Sequence, residues 1–400
     1  MLQATTRLYR NAYAGLPAAI WWLSVVVFIN RCGTMVLPFL TVYLLEKGYT
    51  LVDAGLMLTS FGLGSIVGAY AGGRLTDRIG FLNVQTGSLL VSGFLFIVLG
   101  YMQTLWQIGI CMFVLSSIGE AFRPANSAAI AAYSTEENRT RSYSLNRLAI
   151  NLGFGIGPAI GGILADRNFI LLFWIDGITC MGAALALYLL FPGGSRAAAK
   201  KKADVPPNPV TAYSDRPFLW SMFFTFLAGL CFFQMFSIFP AYLREVLHYS
   251  KGKAGWLLGL NGLIIAAFEM ILVFSLEKKR SGIVYIIAGS LLIGAGFLLL
   301  NIAPVLAVVL CMIVLVTAGE MLLYPFLNTY WVKRSRPYNI GQYAGVYTIS
   351  FSLAIVLAPT FASQVATRYG FNRLWILDFC ICALAALGFF VLSKRTPTNE

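Results

Sequence analysis

The stretch CMFVLSSIGE at residues 111–120 returns as CMIVLVTAGE at residues 311–320, an offset of 200 in a chain of 400 residues. The echo spreads outward from there. Ala54-Gly55 and Leu63 recur as Ala254-Gly255 and Leu263, and Tyr43-Leu44-Leu45-Glu46 recurs as Tyr242-Leu243-Arg244-Glu245. Tyr143 with Pro158 returns as Tyr343 with Pro359. Two homologous halves in so apolar a chain predict a machine with a site between two bundles.

Composition fixes the solvent. Hydrophobic residues make up 58% and charged residues 11%, with a mean hydropathy of +0.77, whereas a soluble domain carries about 25% charge. The apolar stretches reach roughly 20 residues or more, enough to cross about 30 Å of hydrocarbon. Twelve are readable, at 17–45, 51–75, 82–101, 105–133, 143–164 and 169–191, then 218–243, 254–276, 283–301, 304–331, 342–366 and 374–392. Lipid offers the backbone no hydrogen-bond partner, so all twelve are expected as helices, numbered here as helices 1 to 12. The first stretch exceeds a signal-peptide core and no small-residue cleavage site follows it, so it is expected to remain as helix 1.

Charge sets the orientation. With both termini cytoplasmic, inner segments hold 19 of the 29 basic residues and outer loops hold seven; Arg31, Arg123 and Arg147 fall within spans. This asymmetry predicts cytoplasmic termini. The net charge of +13 then reads as an orientation signal, and no nucleic-acid partner is expected. All seven cysteines lie inside spans without a C-x-x-C pair, which argues against a disulfide framework or a zinc site. No metal or cofactor is expected. The single histidine, His248, falls in an outer loop, and the sequon at Asn138 faces the cytoplasm unused.

The longest polar segment, 192–216, reads PGGSRAAAKKKADVPPNPVTAYSDR. Its Gly, Pro and Lys make it a cytoplasmic linker between an N-terminal six-helix bundle (1–191) and a C-terminal one (217–400).

Between helices 2 and 3 the chain reads Gly73-Arg74-Leu75-Thr76-Asp77-Arg78-Ile79-Gly80. A carboxylate at a helix end can pair with a base or cap a neighbouring helix N-terminus, which makes Gly73, Asp77, Arg78 and Gly80 a candidate conformational switch. The octapeptide resembles the G-x-x-x-[DE]-[RK]-x-G signature of the major facilitator superfamily, at the position that signature occupies. Leu82 and Asn83 stand where one or two basic residues usually follow. Helix 5 carries Gly153, Gly157, Pro158, Gly161 and Gly162, similar to the superfamily's glycine-rich antiporter motif, although Ser144 replaces its leading glycine. Small residues let helices approach closely, helices 5 and 8 being the expected pair, and proline breaks the backbone ladder. The resemblance implies the drug:proton antiporter branch: an all-α fold of two six-helix pseudo-symmetric bundles working by alternating access.

Ionisable residues inside spans are costly and mark function. Glu120 and Arg123 in helix 4 stand three apart on one face; Glu320 occupies the repeat-equivalent place in helix 10, and Glu269 in helix 8 has Ala69 as its counterpart. These four residues are the candidates for proton coupling, because a carboxyl group removed from water holds a proton more readily. Arg123 also resembles the helix-4 arginine that serves proton coupling in the superfamily's antiporters. Asn30 and Arg31 in helix 1, with Asn146, Arg147 and Asn151 in helix 5, are the polar candidates for the substrate cavity. Phe233 and Gln234 of helix 7 join them, as do Tyr324 and Asn328 of helix 10. Asp176 and Asp378, at matching places in helices 6 and 12, read as structural.

Together these readings predict a multi-pass inner-membrane carrier, monomeric, exporting small amphipathic solutes or drugs in exchange for protons. The competing reading is a proton-coupled uptake symporter for peptides, sugars or other small metabolites. The E-x-x-E-R motif of peptide transporters lacks both glutamates here, Val27 and Asn30 standing in their places. No H-E-x-x-H, G-x-S-x-G or G-x-x-x-x-G-K-[ST] occurs, so neither an integral membrane enzyme nor an ATP-driven pump is supported.

Overall fold

The computed structural model describes residues 10–165, 167–191, 211–249 and 251–395. Most of the expected linker, 192–210, lies outside them. Twelve helices are long and apolar enough to cross a membrane, as the hydropathy reading anticipated. In order they are Ala18–Glu46, Asp53–Ile79, Phe81–Gly100, Leu105–Tyr133, Arg139–Ala165, Ile170–Leu190, Arg216–Ser237, Lys253–Leu276, Gly282–Leu299, Leu306–Arg334, Ile340–Tyr369 and Phe371–Lys394, called spans 1 to 12 below. Large apolar side chains project outward along them, Ile163 and Leu189 each 65% exposed, as helices solvated by lipid require.

The chain divides into two compact units. Among the described residues, one comprises 16–165, 167–191 and 211–212 together with 335–349, the start of span 11. The other comprises 213–249, 251–334 and 350–395, with residues 10–15. In the first unit spans 2 and 4, 3 and 6, and 1 and 5 lie side by side, and span 1 also touches span 6. The second unit repeats part of this plan, with spans 8 and 10, 9 and 12, and 7 and 12 paired. Its closest contact joins spans 9 and 10. There a Cβ on Gly289 would meet the Gly319 carbonyl oxygen at 2.6 Å, and one on Gly319 the Gly289 carbonyl oxygen at 2.7 Å. Absent side chains allow this approach.

Three spans are broken. Span 1 is helical over Ala18–Cys32 and again over Val36–Glu46. Span 4 is interrupted between Leu105–Gly119 and Phe122–Tyr133. Span 7 stops at Phe232, makes one turn over Gln234–Ser237 and resumes over Phe239–Glu245. Each interruption precedes a proline: Pro38, Pro124 and Pro240. Proline has no N–H for the carbonyl four residues earlier and its ring clashes there. Those carbonyls belong to Thr34, Glu120 and Phe236, at or beside the breaks.

Candidate functional site

The break in span 1 places opposite charges at its two open helix ends. Arg31 lies in the last turn of the first half, where the C-terminal end of a helix favours a cation. Across the gap, Asp176 of span 6 caps the second half. Its Oδ1 accepts from the Met35 N–H at 3.0 Å, and its Oδ2 from the Val36 N–H at 2.9 Å and the Met35 N–H at 3.1 Å. Asp176 is 1% exposed, so the Val36 amide at this helix start is satisfied from another span, and the Met35 amide is shared between Asp176 and the Gly33 carbonyl oxygen at 2.9 Å. Asp378 does related work in span 12. There the Gln234 Nε2 donates to its Oδ1 at 2.7 Å, and the Cys231 thiol donates to its backbone carbonyl at 3.6 Å.

The break in span 4 carries Glu120. Its carboxylate lies 2.8 Å from the Arg123 Nε, the local pair that the i, i+3 spacing predicted. The atoms meet as an ion pair, off the line a hydrogen bond needs, so Glu120 Oε2 keeps no hydrogen-bond donor. Both breaks open onto one cavity of about 60 Å³ inside the first unit. Gly33 and Thr34 line it from span 1, Gly119 and Glu120 from span 4, with Asn30 and Arg31 on the same wall. Ser92 and Ser116 add hydroxyls, and Phe61, Phe96 and Phe122 supply apolar wall. Asn30 donates from Nδ2 to the Cys180 sulfur at 3.2 Å. Arg31 sits with its guanidinium carbon 5.4 Å from the centre of the Phe154 ring, close enough to Glu120 and Arg123 to feel both charges.

The glycine face of span 5 holds this wall in place. A Cβ at Gly153 would come within 2.5 Å of the Arg31 Cβ, and one at Gly157 within 3.0 Å of the Cys32 carbonyl oxygen. At Gly161 it would meet Met35 at 3.1 Å, and at Gly162 Phe39 at 3.4 Å. Within this unit the stripe packs on span 1, where small residues make room for the backbone of the span 1 break. The side chain of Pro158 lies outside the described residues. Asn146 is turned away from the cavity, its Oδ1 accepting from Asn126 Nδ2 at 3.1 Å. Arg147 and Asn151, both half-buried, are not among the cavity-lining residues.

In the second unit the equivalent acid is held differently. Glu320 has Leu323 where span 4 has Arg123. Its Oε2 instead accepts from Asn261 Nδ2 of span 8 at 2.9 Å, and that amide also donates to Thr317 Oγ1 at 3.0 Å. The sequence reading gave Glu320 no evident partner. Asn261 was missed because its repeat counterpart is apolar, Phe61, and only the fold brings span 8 beside span 10. Glu269 is buried, 1% exposed.

Gln234 is fully buried and turned to Asp378, beside the span 7 break. Asn328 is occupied within its own span, donating to the Tyr324 carbonyl at 2.9 Å and accepting from Trp331 Nε1 at 3.2 Å. Tyr324 is buried among aromatic rings, 5.4 Å from Phe232 and 4.9 Å from Phe351, and Phe233 lies 5.3 Å from Phe351. These rings fill core volume.

The signature between spans 2 and 3 is a helix clamp. Asp77 Oδ1 accepts from the Gly341 N–H at 2.7 Å and Oδ2 from the Gln342 N–H at 2.9 Å, at the start of span 11. Favourable charge and the unpaired amides of a helix N-terminus coincide there. Gly73 permits the contact, since a Cβ on it would meet the Gly341 carbonyl oxygen at 2.5 Å and the Gly345 Cα at 3.0 Å. Gly80 turns the chain with φ +90°, a conformation that side chains disfavour. Arg78 is exposed in the last turn of its helix. Among the described residues no group of three or more His, Cys, Asp or Glu is placed to hold a metal ion.

Comparison with known proteins agrees with this architecture. The chain is 22% identical over 378 residues to the uncharacterized MFS-type transporter YqjV of Bacillus subtilis (strain 168), covering 92% of this chain and 91% of that one. It is 22% identical over 412 residues to a Na(+), Li(+), K(+)/H(+) antiporter of Planococcus maritimus, with 93% and 96% covered. Its fold resembles that of the human organic anion transporter MFSD10 (TETRAN), with a TM-score of 0.74 at 17% identity, over 94% of this chain and all of the other. The family model described as Major Facilitator Superfamily matches residues 23–359. The chain belongs to the Major Facilitator Superfamily of transporters.

Proposed function

We propose that this transporter is coupled to protons and works by alternating access, exporting small amphipathic solutes in exchange for protons across the inner membrane. The observation that carries this reading is the position of Glu120. It stands on a cavity where two broken helices meet, beside one guanidinium and within the field of a second. Discontinuous helices are a recurrent way to build carrier sites, and a carboxylate there can exchange an arginine partner for a proton. Glu320 and Glu269, buried in the second unit, are the further candidates; Arg123 is the ion-pair partner of Glu120. Asp77 serves the cycle as a clamp on span 11. The antiporter from Planococcus maritimus supports exchange as the mode.

The test uses inside-out vesicles with an acid interior and a pH-sensitive dye. A screen of dyes, quinolones and aromatic acids should find a solute that accumulates while the interior loses acid. Solute and protons leaving together would establish the uptake symporter instead. Glu320→Gln is expected to retain solute binding and lose proton-driven accumulation. Full gradient-driven transport in that variant removes Glu320 from coupling.

A further inference from the structure

The cavity of the first unit has an uneven charge balance. Glu120 and Arg31 both line it, but the Glu120 carboxylate is already taken by Arg123 at 2.8 Å. Asp176, the other acid nearby, has both oxygens on the Met35 and Val36 amides, so it does not serve as counter-ion to Arg31. The Arg31 Nε is out of contact with solvent and has no hydrogen-bond partner. The guanidinium meets the Phe154 ring, which interacts with the cation but leaves the Nε–H unused. A guanidinium carries five donors in a planar fork suited to carboxylate and similar oxyanions. Leaving such a donor buried and unanswered is costly, more so for a charged group.

We infer that this cavity is the subsite for the anionic head group of the transported solute, with Arg31 as its counter-ion. The inference rests on the transport reading above and names its substrate class: amphipathic organic anions, with a carboxylate or sulfonate at one end. A volume of about 60 Å³ admits a head group; the body of the ligand extends beyond it along the apolar wall of Phe61, Phe96 and Phe122. Ser92, Ser116 and Asn30 border the same space and offer polar contacts to the oxygens.

The experiment compares benzoate, benzamide and benzamidine, three probes of one shape and different charge, by thermal shift and calorimetry on the purified full-length chain in detergent. Benzoate is expected to bind and stabilise, and the neutral and cationic probes to be weaker by roughly tenfold or more, the value of a charge-assisted contact. Arg31→Gln should abolish the preference for benzoate. Arg31→Lys, which keeps the charge without the fork, should retain part of it and controls for folding. Equal binding of all three probes, absence of benzoate binding, or a preference that survives Arg31→Gln would each overturn the assignment. Proton-driven flux in vesicles is read separately: its absence alongside intact charge selectivity rejects coupling and leaves the anion subsite standing.

Discussion

Replacing Asp176 by asparagine tests whether span 1 depends on a cap supplied from 141 residues away. The carboxylate gives two oxygens to two amides, Met35 at 3.0 and 3.1 Å and Val36 at 2.9 Å, in a site 1% exposed. Asparagine keeps one oxygen and turns an NH2 toward a backbone N–H, donor against donor. One buried amide then loses its acceptor, at about 1–3 kcal/mol. Removing negative charge from a helix N-terminus adds about 0.3–1 kcal/mol, and up to ~2 in buried settings. The expected loss is therefore about 1–5 kcal/mol, large for one substitution. Unfolding of the purified chain in mixed micelles, titrated with SDS, reads it directly. Asp176→Ala should cost more, since the Val36 amide then loses its acceptor outright and the Met35 amide keeps only the Gly33 carbonyl oxygen. A change for Asp176→Asn within about 0.5 kcal/mol, the range of an inconsequential substitution, would refute the capping argument and leave the span 1 break without its proposed support.

Two other perturbations separate geometry from composition. Gly153→Ala drives a methyl to 2.5 Å from the Arg31 Cβ, whereas Gly155→Ala meets nothing within 4 Å. The first should destabilise by about 1–3 kcal/mol and weaken benzoate binding, and the second should do neither; equal behaviour in the micelle titration would show that span 1 does not lie on this face. Asp77→Asn removes one of two acceptors at the start of span 11 and should lower transport turnover in vesicles with ligand affinity unchanged. A large affinity loss would instead place Asp77 at the solute.

Much of the architecture was legible because a helix in lipid must satisfy its own backbone, so apolar length alone locates it. Glu120 with Arg123 was legible because three residues of separation keep the two side chains in reach even across the span 4 break. The breaks were partly legible, since Pro38, Pro124 and Pro240 each stand four residues beyond a carbonyl that loses its donor. The sequence reading used Pro158 and overlooked these three. The partner of Gln234 was not legible, because it lies 144 residues away.

By itself the sequence determined the number of spans, their helical character, the internal repeat and the acids that membrane burial makes expensive, all consequences of local spacing and of transfer from water to hydrocarbon. Only the tertiary structure decided which acid meets which donor. Asp176 finds the Met35 and Val36 amides, Asp77 the Gly341 and Gln342 amides, Glu320 the Asn261 side chain, and Arg31 a cavity wall shared with Glu120. Charges and hydrogen bonds act over a few ångströms, and nothing in chain order reveals which distant residues will stand that close.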